Sequence, residues 1–336
     1  MVRVDRRPVE LSAERRRCLV GLIGIGIGFS LTPAMHELEG DALGLRYLYQ
    51  TIDLDTLGID PEDSGPLLLH ARQLGFAGLN VTHPCKRIIA REVDELSPDA
   101  ELIGSVNTVV FTQDRAIGHN TDGTAFAASL QRGLPAARTG KVVVVGAGGA
   151  GSAICLAALR LGVERLTVVD TVDSRAHRLA AVMQGHLGRE RCVAAPATEL
   201  PSVIASADGV INATPAGMVG TPGTPFDPDL LSPEQWVADI VYRPLETELL
   251  ARARARGCDV LDGGGMAVLQ AVEALRLFAG RAPDSRRMFG HFARLAALAG
   301  DDVSGMWWTP MVRHAGDGVT VVGAGDGAGR RDGRDS

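Results

Sequence analysis

The sequence predicts an α/β fold of two domains. Three observations carry that expectation. The chain has 336 residues, and a compact domain takes roughly 100–200. From residue 18 onward, strand-like apolar runs alternate with stretches of helical period, as in successive βαβ units. Finally, Val142-Val143-Val144-Val145 is an uncharged β-branched run, the pattern of a strand buried on both faces of a parallel sheet.

Taken in order, residues 1–17 are charged throughout and read as a disordered arm. Residues 18–27 form an apolar strand broken by Gly21, Gly24 and Gly26; these glycines mark a backbone passing close to a ligand or another strand. Thr32 is a potential N-cap with Pro33 at the first helical position, and the helix should run to about Leu43. A strand follows over 46–53 and a helix over 61–74. Residues 76–86 are a third strand that turns into a helix, with Asn80, Thr82 and Lys86 at its C-terminal end. In open α/β sheets that end is where ligands bind. Two short strands over 105–111 and 116–122 come next, and Thr121 or Asp122 caps a helix through Leu130. The turn-rich segment 131–139 closes this first unit.

The second unit opens on the valine run. Gly146, Gly148 and Gly151 follow it in G-x-G-x-x-G spacing, and residues 150–161 have helical period up to the stop at Gly162. A second strand ends on Asp170, 19 residues after Gly151. The first glycine permits a tight turn, the second lets backbone approach a pyrophosphate, and the third lets helix and strand pack closely. The helix N-terminus offers N–H groups and a positive dipole end to the phosphates, and Asp170 is placed for the adenosine ribose hydroxyls. Strand, glycines, helix, strand and acid together predict a Rossmann-type dinucleotide-binding domain. Its later strands are expected at 208–214, 236–242 and 258–262, with a helix over 247–256. Gly263-Gly264-Gly265-Met266 leads into a last helix through Leu277 that carries Gln270. The domains therefore read as 18–122, completed by 264–300, and 123–263, with a cleft between them. Residues 301–336 lose periodicity and read as a disordered tail. Within it, 319–327 mimic a glycine fingerprint, but a charged run follows instead of a helix.

Composition removes several function classes. A net charge of −6 and 4% aromatic residues leave no footprint for nucleic acid. The five cysteines lie far apart without a C-x-x-C, and the eight histidines form no H-x-x-x-H, so no metal site and no disulfide framework is indicated. Residues 142–159 are uncharged, but valines leading into glycines suit a sheet core better than a membrane span. The charged start lacks the apolar region of a secretory signal. A cytoplasmic protein follows, with a small-molecule substrate and no membrane partner.

A dinucleotide site implies hydride transfer, and hydride transfer from a hydroxyl needs a group to move the proton. Lys86 is the candidate, with Asp122 to orient it, although 36 positions separate them. Taken alone, a lysine at a helix start such as Lys86 is usually solvated. Cys85, His36, His83 and His119 near the same cleft read as packing or capping groups.

At these residues the sequence resembles the shikimate dehydrogenase family, including its quinate/shikimate dehydrogenase branch. The resemblance covers roughly residues 19–295. Its motifs are Ser30-Leu31-Thr32-Pro33-Ala34-Met35-His36, Asn80-Val81-Thr82-His83-Pro84-Cys85-Lys86, Gly104-Ser105-Val106-Asn107-Thr108 and Gly118-His119-Asn120-Thr121-Asp122-Gly123. They continue with Gly146-Ala147-Gly148-Gly149-Ala150, Ile211-Asn212-Ala213-Thr214-Pro215-Ala216-Gly217-Met218, Asp239-Ile240-Val241-Tyr242, and Asp262-Gly263-Gly264-Gly265-Met266 with Gln270. The resemblance implies reversible NAD(P)-dependent oxidation of a ring secondary hydroxyl, such as that of shikimate. It assigns catalysis to Lys86 with Asp122. Ser30, Thr32, Thr82, Asn107, Tyr242 and Gln270 match substrate positions, with Asn80 beside them. The cofactor would lie on Gly146, Ala147, Gly148, Gly149, Ala150, Gly151, Asp170 and Thr214, with Ile240 and Gly263 at the nicotinamide end.

NADP-using members resemble Asn-Arg-Thr where this chain has Asp170-Thr171-Val172. A carboxylate there favours a free 2′-hydroxyl and repels a 2′-phosphate, so the expected cofactor is NAD, with Arg175 as the one nearby cation that would favour NADP. Thr32 and the Met35-His36-Glu37 run look like the quinate/shikimate branch, and an NAD enzyme would favour oxidation of quinate or shikimate. The alternatives are an aminoshikimate-type dehydrogenase, an NADP-dependent biosynthetic enzyme, and a non-catalytic metabolite sensor. A monomer and a homodimer are both compatible with the sequence.

Overall fold

A computed structural model describes residues 16–187 and 191–309. Its twelve strands form two six-stranded sheets. The first holds β1 (Arg17–Gly24), β2 (Arg46–Asp53), β3 (Gly78–Val81), β4 (Glu95–Leu96), β5 (Thr108–Phe111) and β6 (Ala116–His119), in the order β2-β1-β3-β5-β6-β4. β1 pairs in parallel with β2 and β3, whereas β5 runs antiparallel to both β3 and β6. The second sheet holds β7 (Lys141–Val145), β8 (Arg165–Val169), β9 (Cys192–Ala194), β10 (Gly209–Asn212), β11 (Trp236–Asp239) and β12 (Asp259–Leu261). Its order, β12-β11-β10-β7-β8-β9, is parallel throughout. That is the doubly wound dinucleotide-binding order, and the switch point lies between β7 and β10.

The valine run behaves as its composition predicts. Val142, Val143, Val144 and Val145 are all buried, alternately contributing to the cores on the two faces of the sheet. The chain leaves the first sheet through the helix Asp122–Gly133 and returns along the helix Gly264–Ala279. These two helices pack on each other. The returning helix starts in the second domain and ends in the first, where Ala274, Leu275, Phe278 and Ala279 fill the core against β1 and β2.

Several local expectations need correction. Leu31, not Thr32, is the N-cap of the helix Thr32–Ala42, and no side chain caps it. The helix expected over 61–74 is split at Ser64 into a 3-10 turn, Pro61–Asp63, and the helix Gly65–Gln73. Thr121 is the N-cap residue of Asp122–Gly133, yet its side chain makes no capping bond; its hydroxyl is engaged elsewhere, as described below. Arg17, expected in the arm, opens β1; residues 1–15 lie outside the described residues. Residues 301–309, expected to start a disordered tail, pack instead into a core. Val303, Met306 and Trp308 are buried with Phe289 and Phe292 of the helix Ser285–Leu298, and Trp308 Nε1 donates to Asp262 Oδ1 at 3.1 Å. Two adjacent tryptophans supply the apolar area that a periodicity test does not weigh. The rest of the expected tail, with the glycine run at 319–327, lies outside the described residues.

All five cysteines are free and buried, and burial pushes the Cys85 thiol up to about 11. Cys85 is thus a packed side chain. Among the described residues, no helix is long and apolar enough to cross a membrane, and no group of three or more His, Cys, Asp or Glu could hold a metal ion.

Candidate active site

The polar ends of β3, β5 and β6 meet the start of Asp122–Gly133. Lys86 opens the short helix Lys86–Ile89 after β3 and its Nζ donates to Asp122 Oδ2. The lysine side chain is 16% exposed and the aspartate 1%, so one partner of the pair stays reachable from solvent while the other is buried. Asn107 Nδ2 donates to the other carboxylate oxygen at 2.8 Å and to Thr121 Oγ1 at 2.9 Å. Thr121 Oγ1 in turn lies 3.5 Å from the Gln270 carbonyl, which ties the returning helix to the group. The Asp122 N–H is held by Asn120 Oδ1 at 3.0 Å.

Two residues that sequence reasoning missed extend this group. Tyr49 on β2 donates its hydroxyl to Asn80 Oδ1 at 2.7 Å. Asn80 Nδ2 donates to the Asn107 carbonyl at 3.3 Å and to Thr108 Oγ1 at 3.1 Å, and Thr108 donates to Asn107 Oδ1 at 3.0 Å. Backbone groups fix the direction of the chain. The Asn107 carbonyl can only accept, so the Asn80 amide nitrogen faces it. The Thr121 N–H can only donate, and it reaches Asn107 Oδ1 at 2.9 Å, so the Asn107 nitrogen faces Asp122. Every donor from Tyr49 onward therefore points toward the Asp122 carboxylate. Neither residue has a sequence signal of its own: Tyr49 sits in an alternating edge strand and Thr108 looks like an ordinary strand threonine.

A second hydroxyl group lies apart from Lys86. Ser30 Oγ and Tyr242 OH are 3.3 Å from each other, and the Thr32 N–H donates to Ser30 Oγ at 3.3 Å. Thr82 closes β3 with its N–H on the Ile23 carbonyl at 2.9 Å. Its methyl fills the space beside Gly24, 2.4 Å from where a Cβ there would sit. Among the described residues, no hydrogen bond joins Ser30, Thr32, Thr82 or Tyr242 to the Lys86 group.

The glycine loop faces these groups across the cleft. Gly146 has φ 106°, the left-handed region, and an added Cβ would lie 2.8 Å from the Ala213 carbonyl oxygen and 2.9 Å from Thr214 Cγ2. An added Cβ on Gly151 would lie 2.0 Å from the Gly146 carbonyl oxygen, which is the close packing its position predicts. The helix Gly149–Arg160 starts here, so its first N–H groups have no partner within the helix. Asp170 Oδ2 accepts from the Ala147 N–H at 2.7 Å and Oδ1 from the Val172 N–H at 2.8 Å; each oxygen keeps a second acceptor direction. Thr214 is turned by Asn212 Oδ1, which accepts from its N–H at 2.9 Å and its hydroxyl at 2.7 Å. Gly263 lies against the carbonyls of Ile240 and Val241, 2.6 and 2.5 Å from its would-be Cβ, so Ile240 and Gly263 adjoin. The narrow turn, the free first-turn N–H groups and the carboxylate fit a dinucleotide.

The two halves touch where this reading needs them to. A Cβ on Gly149 would lie 3.0 Å from Lys86 Cβ and 2.6 Å from Ser105 Oγ. The loop thus runs directly beside the lysine.

The family model for the shikimate dehydrogenase substrate binding domain matches residues 22–109. A shikimate dehydrogenase (NADP(+)) of Streptomyces avermitilis is 57% identical over 281 residues, spanning 84% of this chain and 97% of that protein. The chain belongs to the shikimate dehydrogenase family. It is accordingly an oxidoreductase with a site for a nicotinamide dinucleotide. A quinate/shikimate dehydrogenase (NAD(+)) of Corynebacterium glutamicum is 49% identical over 280 residues, 82% of this chain and 98% of its own. Among solved structures, the quinate dehydrogenase from Corynebacterium glutamicum in complex with NAD superposes with a TM-score of 0.76 at 47% identity, covering 83% of this chain and all of that one. The substrate binding domain of the family is thus the first domain here, and the parallel sheet is the dinucleotide domain.

Proposed function

We propose that this enzyme oxidises the ring hydroxyl of shikimate or quinate to the corresponding ketone, reversibly, with NAD. The observation that carries the reading is the Lys86–Asp122 pair seated beside Gly149, which puts a proton carrier next to the bed for the cofactor. Held on the glycine loop with Asp170 and Thr214, the dinucleotide would supply the hydride acceptor. Lys86 Nζ takes the hydroxyl proton on oxidation and returns it on reduction. Asp122, held by Asn107 and its own helix start, orients Nζ and accepts from a substrate hydroxyl. Gln270 completes the hydroxyl contacts, and Asn107, whose amide is fully bonded, joins them by exchanging Thr121 Oγ1 for the substrate. Ser30, Thr32 and Tyr242, apart from the lysine, suit the substrate carboxylate with neutral donors, and Asn80 and Thr82 border the ring.

The NAD preference rests on Asp170. Its carboxylate turns two backbone N–H groups toward itself and presents negative charge where a 2′-phosphate would lie. NADP is the second reading. It is favoured by the name of the Streptomyces avermitilis relative and by Arg175 near the same end.

The test is the initial rate of reduced-nicotinamide formation with quinate and shikimate, each against NAD and NADP. Turnover with NAD on either substrate supports the reading. Turnover confined to NADP overturns the cofactor assignment, and no turnover in any combination overturns the substrate assignment in favour of an aminoshikimate-type substrate or a sensor.

A further inference from the structure

Arg87 follows Lys86 on the helix Lys86–Ile89, yet its side chain crosses the cleft. Its Nη2 donates to the Ala147 carbonyl at 3.3 Å and to Ser152 Oγ at 2.7 Å. Ser152 Oγ donates onward to the Gly148 carbonyl at 2.9 Å. From the other side, Asp170 holds the Ala147 N–H at 2.7 Å. Ala147 is therefore gripped at its carbonyl by the substrate domain and at its N–H by the carboxylate that faces the ribose.

A trans peptide is planar, with C=O and the following N–H pointing in opposite directions. Fixing the Ala147 carbonyl on Arg87 turns the Gly148 N–H the other way, and fixing the Gly148 carbonyl on Ser152 does the same for the Gly149 N–H. These are N–H groups that a diphosphate on the loop would take. Two consecutive residues of the substrate domain thus meet the loop, Lys86 against Gly149 and Arg87 at Ala147. Arg87 also sits among like charges. Burial first, then Arg178, Arg175 and Arg91, hold its pKa below the usual arginine value against Asp170, which raises it, so an anion arriving on the loop adds to the Asp170 attraction and relieves the repulsion.

We propose that Arg87 is a positioning residue, a clasp across the cleft that ties the placement of Lys86 to occupancy of the glycine loop by the cofactor diphosphate. The inference rests on the dinucleotide reading of the loop. It implies that Arg87 holds the lysine's short helix against the loop that NAD would occupy, and that cutting the clasp weakens cofactor binding and lysine placement together.

The test is a double-mutant cycle in the full chain, with Arg87→Ala, Ser152→Ala and the double variant. NAD affinity is measured by calorimetric titration, alongside kcat, substrate KM and melting temperature. Arg87→Ala should weaken NAD binding and lower kcat, each about tenfold, with substrate KM within about twofold and melting temperature near wild type. The double variant should be no worse than Arg87→Ala alone. Arg87→Lys, which keeps the charge but loses the fixed guanidinium geometry, should recover part of the loss. Unchanged NAD affinity in Arg87→Ala, or strictly additive effects of the two substitutions, would overturn the clasp. Wild-type enzyme that binds neither NAD nor NADP would remove the dinucleotide reading and the clasp together, whereas wild-type binding with an indifferent Arg87 removes the clasp alone.

Discussion

Ser30 and Tyr242 stand 212 positions apart in the sequence, yet their hydroxyls lie 3.3 Å from each other. One belongs to the loop after β1 and the other follows β11, so each domain supplies half of one polar site. Tyr242→Phe removes one hydroxyl from this pair and leaves the ring against Phe292. Substrate KM should rise about fivefold to tenfold, the loss of one hydrogen bond to a charged group, with kcat changed less. Steady-state kinetics that show kcat falling while KM holds would place Tyr242 in the chemistry instead.

Lys86→Ala should lower kcat by about 10²–10⁴, the usual span for a lost acid–base group, while NAD still binds. Asp122→Asn replaces one accepting oxygen with a donor that faces either Asn107 Nδ2 or Lys86 Nζ, and should also lower kcat. Combining both changes should cost little more than Lys86→Ala, because the two act as a unit. Rapid-quench or steady-state rates across the cycle decide this.

The chain from Tyr49 to Asp122 makes a prediction about residues with no expected role. Tyr49→Phe leaves Asn80 Oδ1 without its hydroxyl donor, and Thr108→Val removes the hydroxyl between the Asn80 and Asn107 side chains, leaving only the Asn80 bond to the Asn107 carbonyl. Each leaves a polar group short of a partner, half-buried at Asn80 and buried at Asn107, a cost of about 1 kcal/mol or more. Both variants should unfold at lower denaturant and turn over more slowly. Thr108→Val should be the more damaging to kcat, since it touches the partner of Asp122 directly. Equal kcat in the two would show that distance along the chain does not matter.

Asp170→Ser should remove the charge proposed to face the ribose. KM for NAD should rise roughly tenfold and the ratio of kcat/KM values for NAD over NADP should drop by more, because repulsion of the 2′-phosphate disappears as well. A ratio that stays constant would mean that the arginines beyond β8, not Asp170, set the preference.

His36 predicts a pH dependence of stability. Its ring is fully buried, with Nδ1 3.1 Å from Tyr47 OH, and burial lowers its pKa from 6.5 to about 3. The unfolded chain then binds a proton that the folded protein refuses, so stability rises with pH between about 3 and 6.5 and is fully present above that window. Acidifying from pH 6.5 to 5 should cost about 1.5 kcal/mol through this residue alone. Asp239 opposes it: burial raises its carboxyl to about 6, so its contribution falls as pH rises from about 4 to 6. Comparing urea midpoints of wild type and His36→Gln at the two pH values isolates the histidine, whose replacement should flatten the acid side.

Much of this was legible in the sequence, and the gaps have physical causes. The valine run, the three glycines and Asp170 could be read because each answers a local demand of backbone or burial. The partnership of Lys86 and Asp122 could only be suspected, since it depends on how β3 and β6 are held on either side of β5. Tyr49 stayed hidden because an edge strand with alternating exposure gives no hint of which inward hydroxyl meets an asparagine. Trp307 and Trp308 were passed over because a short irregular segment has no period, although it seals a core. Arg87 was overshadowed by its neighbour: nothing in a sequence distinguishes an arginine that crosses a cleft from one that dangles in water.

The returning helix Gly264–Ala279 sets an order of events during synthesis. The parallel sheet ends at Leu261, so the dinucleotide domain has all its strands while the helix is still emerging from the ribosome. The substrate domain was begun first, yet Leu275 and Phe278, which cover β1 and β2, are translated only after the whole parallel sheet. β1 and β2 therefore wait with an uncovered apolar face through more than half of translation. The nascent chain is most prone to aggregate during that interval, and a ribosome stalled before residue 275 would carry one finished domain and one that cannot close.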